Sequence, residues 1–179
     1  DGAAGEGLGP GVGEDGRDMR WHAHALRTLA AARGPEAGMA LTWPQLEGLG
    51  LEGLVARLLG RRGHMLAHRV CALHGLPTAP ALEAWARCKV DAALEGGEAA
   101  ADATFGAICE TLDAHPGARV SHAVVAQHAY RRGARALARR LLARERRPAA
   151  QVPLLLTMSE HAEALRRAVE SCDPDLAHL

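Results

Sequence analysis

The chain has 179 residues, 48% hydrophobic but only 3% aromatic, and its 21 basic and 21 acidic residues cancel to a formal net charge of zero. That balance excludes a bulk attraction to nucleic acid or an anionic membrane. The length suits one ordinary domain, or about five helix pairs of roughly 34–40 residues each.

Residues 1–17 carry seven glycines and no apolar period, and read as a disordered linker or tail. Asp18 to Ala32 is expected to be helical, with Trp21, Ala25, Leu26 and Leu29 on one side and Gly34-Pro35 as its stop. Thr42 is a good N-cap for a short helix through Leu49, with Pro44 in its first turn. Leu51, Leu54, Val55, Leu58 and Leu59 form the cleanest helical stripe, and Gly60 to Gly63 a corner. Leu66, Val70 and Leu73 then face inward on a helix that stops at Gly75-Leu76-Pro77. Leu82, Trp85, Ala86, Val90 and Leu94 predict a longer helix closed by Gly96-Gly97, and Ala101, Phe105, Ile108 and Leu112 another closed by Pro116-Gly117.

From Ser121, a plausible N-cap, the elements shorten. Val120, Val124, Val125 and Ala129 share a face, and Gly133 breaks the pattern. Leu137, Leu141 and Leu142 start a second face, Val152, Leu155 and Leu156 a third, and Ala162, Leu165 and Val169 a fourth. Asp173-Pro174 opens a last helix. No segment can bury its stripe alone, so the segments must stack. Arg61-Arg62-Gly63 recurs as Arg131-Arg132-Gly133 seventy residues on, about two units of a 35-residue helix pair. The expected fold is all-α, an α-solenoid of stacked antiparallel helix pairs over 18–179, behind the glycine-rich 1–17.

The four cysteines, at 71, 88, 109 and 172, match neither a zinc pattern nor a compact disulfide framework, which favours a reducing compartment. No apolar run approaches the ~18 residues that span a bilayer, and no signal peptide is present. The chain begins with Asp and reads as a piece of something longer. His64, His68 and Cys71 would share a helical face, but no acidic residue between Glu52 and Glu83 could support the imidazoles, so they read as structural and no metal is expected. His22 and His24, two apart, do not face each other on a helix. Cys109 or Ser121 with His115, His122 or His128 are chance pairings, since no nucleophile elbow, P-loop or dinucleotide fingerprint accompanies them. No enzyme and no cofactor is expected.

Arg131, Arg132, Arg135, Arg139, Arg140, Arg144, Arg146 and Arg147 are opposed locally only by Glu145. Such a cluster could bind phosphates, of RNA or of a phosphoinositide. Aromatic residues for base stacking are missing, and Lys89 is the only lysine against twenty arginines, a coding bias rather than selection for phosphate. A face balanced by acidic residues elsewhere, or an acidic protein partner, is the better reading, and no nucleic acid is expected.

Three stretches carry a resemblance: LTWPQLEGLGLEGLVARLLGRRGHMLAHRVCALHGLP, AWARCKV, and above all AYRRGARALARRLLARERRPAAQVPLLLTMSEHAEALRRAVESCDPDL. The chain resembles the C-terminal helical region of the vacuolar protein sorting-associated protein 16 family, continuously from about Leu26 to Leu179. The resemblance implies an α-solenoid segment of a core subunit of the HOPS and CORVET tethering complexes. These act from the cytoplasm on late endosome and vacuole or lysosome membranes, in intracellular protein transport. It implies as partners the other subunits of those complexes and a Sec1/Munc18-type protein (the vacuolar protein sorting-associated protein 33 type), which templates SNARE assembly for fusion. A shorter relative pairs with a Sec1/Munc18-type protein too. The glycine-rich start and the 95–101 loop depart from the family's pattern. If the partner contact maps here, it falls on the exposed side of Ala134–Arg144 and on Ala162–Ser171, with Arg135, Ala138, Arg139, Leu142, Arg166 and Glu170 as the candidate residues. Ala138 is small and would let a partner approach closely.

Overall fold

Helix and corner alternate along the whole described chain, residues 12–178 of a computed structural model. The helices are α1 (Val12–Arg33), α2 (Trp43–Gly60), α3 (His64–His74), α4 (Ala79–Leu94), α5 (Gly97–Ala114), α6 (His122–Arg131), α7 (Arg135–Ala143), α8 (Pro148–Thr157), α9 (His161–Ser171) and α10 (Pro174–Ala177). A 3-10 turn, Pro116–Ala118, follows α5. No strand occurs among the described residues, so the protein is all-α. The expected linker falls largely outside the described residues, and α1 begins at Val12, six residues before the expected start. No described helix is long and apolar enough to cross a membrane.

By its internal contacts the chain divides into two compact units, the first ending at Leu76 and the second beginning at Pro77. In the first, α1 and α2 each pack on α3. Ala25 and Leu29 of α1, Leu54 and Leu58 of α2, and Leu66 and Val70 of α3 are buried there. Each fully buried leucine contributes about 1.5–3 kcal/mol. Gly50, at φ 69 and ψ 166, kinks α2 where the sequence places a break between two segments. The Thr42 backbone N–H donates to Gln45 Oε1 at 2.9 Å and so opens α2. The Arg33 Nε donates to the Leu41 carbonyl at 2.7 Å, and Thr28 Oγ1 lies 2.9 Å from His74 Nε2.

In the second unit consecutive helices pair, α4 with α5, α6 with α7 and α8 with α9. The pairs then stack, α4 on α6, α5 on α7 and α6 on α8. One core runs through them, from Leu82 and Val90 through Ile108, Val125 and Leu141 to Val152 and Ala168.

Four corners use the same device. A residue with positive φ ends the helix, and the next N–H reaches back to the carbonyl five residues earlier. The bonds run from Gly63 to Leu58, Leu76 to Cys71, Ala134 to Ala129 and Glu160 to Leu155, at 2.8–2.9 Å. The positive-φ residues are Arg62, Gly75, Gly133 and Ser159. At Gly133 φ is 88 and an added Cβ would meet nothing within 4 Å, so a substitution there would cost only backbone strain. We expect Gly133→Ala to lose roughly 1–2 kcal/mol in a urea melt; an unchanged midpoint would show that the corner relaxes freely.

Two expected stripes are turned. On α9 the residues that pack are the small Ala164 and Ala168, while Leu165 and Val169 stand 62% and 65% exposed. Alanines let α9 sit close to α8, and the close approach rotates the larger side chains outward. On α1, Ala25, Thr28, Leu29 and Ala32 are buried, and Trp21 and Leu26 are exposed.

Candidate functional site

The chemistry of the second unit gathers around the short link between α7 and α8. Glu145 lies in it and is 7% exposed. Its Oε2 accepts from Ser121 Oγ at 2.8 Å and from the Ala123 backbone N–H at 3.2 Å. Its Oε1 accepts from the backbone N–H groups of Arg146 and Arg147 and from the Arg147 Nε, at 3.1–3.2 Å. Ser121 therefore does not cap α6 itself; it holds a carboxylate from another corner that does. A negative charge there also meets the positive end of the helix dipole. Burial pushes the Glu145 carboxyl up, but the bonds from Arg147, Ser121 and the Ala123 N–H outweigh it and hold the group at about 2. Beside it the buried Gln151 donates through Nε2 to the carbonyls of Leu142 and Glu145, at 2.9 and 2.8 Å, closing the end of α7.

The basic cluster is largely spoken for within the chain. Arg132 pairs with Asp91 at 2.8 Å, Arg139 with Glu160 at 3.2 Å, Arg144 with Asp113 at 2.7 Å and Arg147 with Glu145 at 3.1 Å. Arg140 pairs with Asp102 and lies over the Phe105 ring, 4.2 Å from its centroid. The Arg135 guanidinium sits 5.9 Å from the centroid of Tyr130. All but the Arg147–Glu145 pair lie at the surface, and surface pairs are worth under about 1 kcal/mol each. They nevertheless neutralise the face that a phosphate backbone would need, and the phosphate-binding alternative is not favoured.

The six residues expected at a partner surface divide. Arg135, Arg139, Arg166 and Glu170 are exposed. Ala138 and Leu142 are not: they are 0% and 1% exposed, inside the core that joins α7 to its neighbours. A partner could reach them only by opening that core, so the close-approach role expected of Ala138 is corrected. On α9, Arg166 bonds both Glu163 and Glu170, and the ladder flanks the exposed Ala162, Leu165 and Val169.

His64, His68 and Cys71 are buried on α3. Among the described residues no group of three or more His, Cys, Asp or Glu could hold a metal ion. All four cysteines are free thiols. Local spacing missed Glu145 and Gln151 as the fasteners of this unit; the one usable signal was a lone acid inside a run of arginines.

The family described as "Vps16, C-terminal region" matches residues 120–178, the stretch from the start of α6 to α10. Longer matches run through both units. The chain is 38% identical over 156 residues to the vacuolar protein sorting-associated protein 16 homolog of Dictyostelium discoideum, covering 87% of this chain and 18% of that protein. It is 34% identical over 154 residues to Protein VACUOLELESS1 of Arabidopsis thaliana, covering 86% and 17%. It is 30% identical over 151 residues to the probable vacuolar protein sorting-associated protein 16 homolog of Schizosaccharomyces pombe, covering 84% and 17%. The chain thus spans less than a fifth of the length of these relatives. The helical match and these relatives together place it: the chain belongs to the vacuolar protein sorting-associated protein 16 family, through that family's C-terminal region.

Proposed function

We propose that this chain is a non-enzymatic scaffold segment, an α-solenoid of stacked helix pairs, in a HOPS- or CORVET-type membrane-tethering complex. It docks a Sec1/Munc18-type subunit for SNARE-mediated fusion in vacuolar protein sorting. It works from the cytoplasm, held peripherally on late endosome and vacuole or lysosome membranes by the complex. The family membership and the regular stacking of α4 to α9 support the reading.

One observation carries the docking role. α9 presents Leu165 and Val169 to solvent at 62% and 65% exposure, beside the charged Arg166 and Glu170. An apolar centre with a polar rim is the anatomy of a protein interface. Arg135 and Arg139 on α7 extend the charged part of the surface.

The test is co-purification with the Sec1/Munc18-type subunit of the same organism, at physiological and at high salt. A stoichiometric complex is expected at both, because a contact with an apolar centre depends little on screening. Leu165→Asp is expected to weaken it at least ~100-fold, the loss typical of a buried anchor, with unchanged circular dichroism. A complex that Leu165→Asp leaves intact would remove α9 from the interface.

A further inference from the structure

The last turn of α5, the 3-10 corner, the start of α6 and the α7–α8 link surround an open cleft of about 820 Å3. Four guanidiniums line it against two carboxylates. Arg144 is matched by Asp113 and Arg147 by Glu145. The other two, Arg119 and Arg146, have no ion-pair partner for their side chains among the described residues, and both are exposed. The cleft therefore carries a surplus of two positive charges in a chain whose net charge is zero.

Two further costs fall at the same place. Arg119 holds φ 51, a left-handed conformation that an ordinary side chain adopts at about 1–2 kcal/mol and glycine almost freely. His122, on the wall of the cleft, keeps a buried Nε2 with no hydrogen-bond partner, and burial lowers its pKa, so it adds no charge of its own.

We propose that this cleft docks an acidic peptide segment of a partner protein, with Arg119 and Arg146 forking two of its carboxylates. Leu112, Val120 and Ala143 supply apolar wall for the carbon stems of such a segment. Carboxylates fit better than a membrane surface or an RNA backbone. The arginines that could extend a basic face for a phosphate backbone, Arg132, Arg139 and Arg140, are already paired. Two guanidinium–carboxylate forks need no such extended face. The site shares no residue with the α7–α9 surface proposed above, so either reading can fail alone.

The probe is a fluorescein-labelled hexaglutamate peptide, titrated with the whole chain and read by anisotropy. Arg119→Gly with Arg146→Ala is expected to weaken binding at least tenfold. Glycine accepts the left-handed backbone, so the melting temperature should hold or rise, which separates lost binding from lost fold. Arg27→Ala with Arg131→Ala, both exposed and outside either proposed surface, is expected to leave the affinity within twofold. Unchanged affinity in the first pair overturns the proposal, as does an equal loss in the second pair, which would mean unspecific charge attraction. Inorganic phosphate or phosphatidylinositol-phosphate vesicles binding through Arg119 and Arg146, with no peptide binding, would overturn it in favour of a phosphate ligand.

Discussion

Replacing Glu145 with alanine is expected to cost about 3–5 kcal/mol and to remove one acid-sensitive part of the stability of the second unit. The carboxylate is 7% exposed and accepts five hydrogen bonds, from Ser121, from the backbone of Ala123, Arg146 and Arg147, and from the Arg147 guanidinium. Alanine would leave those donors facing one another, and a buried donor without an acceptor costs about 1–3 kcal/mol. The pH dependence follows from the same bonds. Glu145 titrates at about 2 in the fold against 4.5 when free, so the unfolded chain binds its proton first as pH falls. The stabilisation is complete above pH 4.5 and is lost between 4.5 and 2. At 1.36 kcal/mol per pH unit this amounts to about 3 kcal/mol. Urea melts of the native chain and of Glu145→Ala at pH 7, 5, 4 and 3 check it. Asp91 and Glu163, also held below their ordinary range, contribute to both proteins and cancel in the difference. The gap between the two proteins should narrow as pH falls below 4.5. A gap below about 1 kcal/mol at pH 7 would show that Glu145 does not fasten the corners.

The helices are legible in the sequence because their signals are local. Leu51 to Leu59 and Leu137 to Leu142 repeat at three and four, and Gly34-Pro35, Gly75 and Asp173-Pro174 stand where helices stop or start. The Asp173 side chain does accept from the Asp175 N–H at 3.1 Å. The faces are less legible, because apolar size misleads where helices meet through alanine. Leu165 and Val169 look like a buried stripe, yet Ala164 and Ala168 are the residues that fit the close contact. Half of the four matching corners carry no sequence mark, since Arg62 and Ser159 take the conformation that Gly75 and Gly133 take elsewhere. The repeated Arg-Arg-Gly is a case in point. Its second residue turns the corner after α2, but its third does so after α6, so identical tripeptides sit one residue out of step. The candidate site is hidden for another reason. Asp91, Asp102 and Asp113, which match Arg132, Arg140 and Arg144, lie 31 to 41 residues away, beyond any helical spacing.

Ala138→Asp should unfold the second unit rather than strip a partner from a folded one. On the helical wheel, at about 100° per residue, Ala138 falls between Leu141 and Leu142, within the arc that the leucines of α7 span. The side chain is 0% exposed and belongs to the same core as Val125, Ala129 and Leu141. An aspartate there would have to bury its charge among carbon atoms or take up a proton, and either adds to the overpacking of a site sized for one methyl group. The expected loss is about 4 kcal/mol or more, a large part of the 5–15 kcal/mol that holds a domain together. Ala136, two residues earlier and exposed, should accept aspartate with a change under about 0.5 kcal/mol. Thermal melts followed by circular dichroism separate the two, and they also decide how any pull-down is to be interpreted. If Ala138→Asp loses the proposed Sec1/Munc18-type partner together with helicity, the loss reports the core. If instead it keeps its helicity and its melting temperature while binding fails, the buried face assigned to α7 is wrong and Ala138 belongs to the interface. The stability of this one variant therefore decides whether α7 can meet a partner only through Arg135, Arg139 and their exposed neighbours.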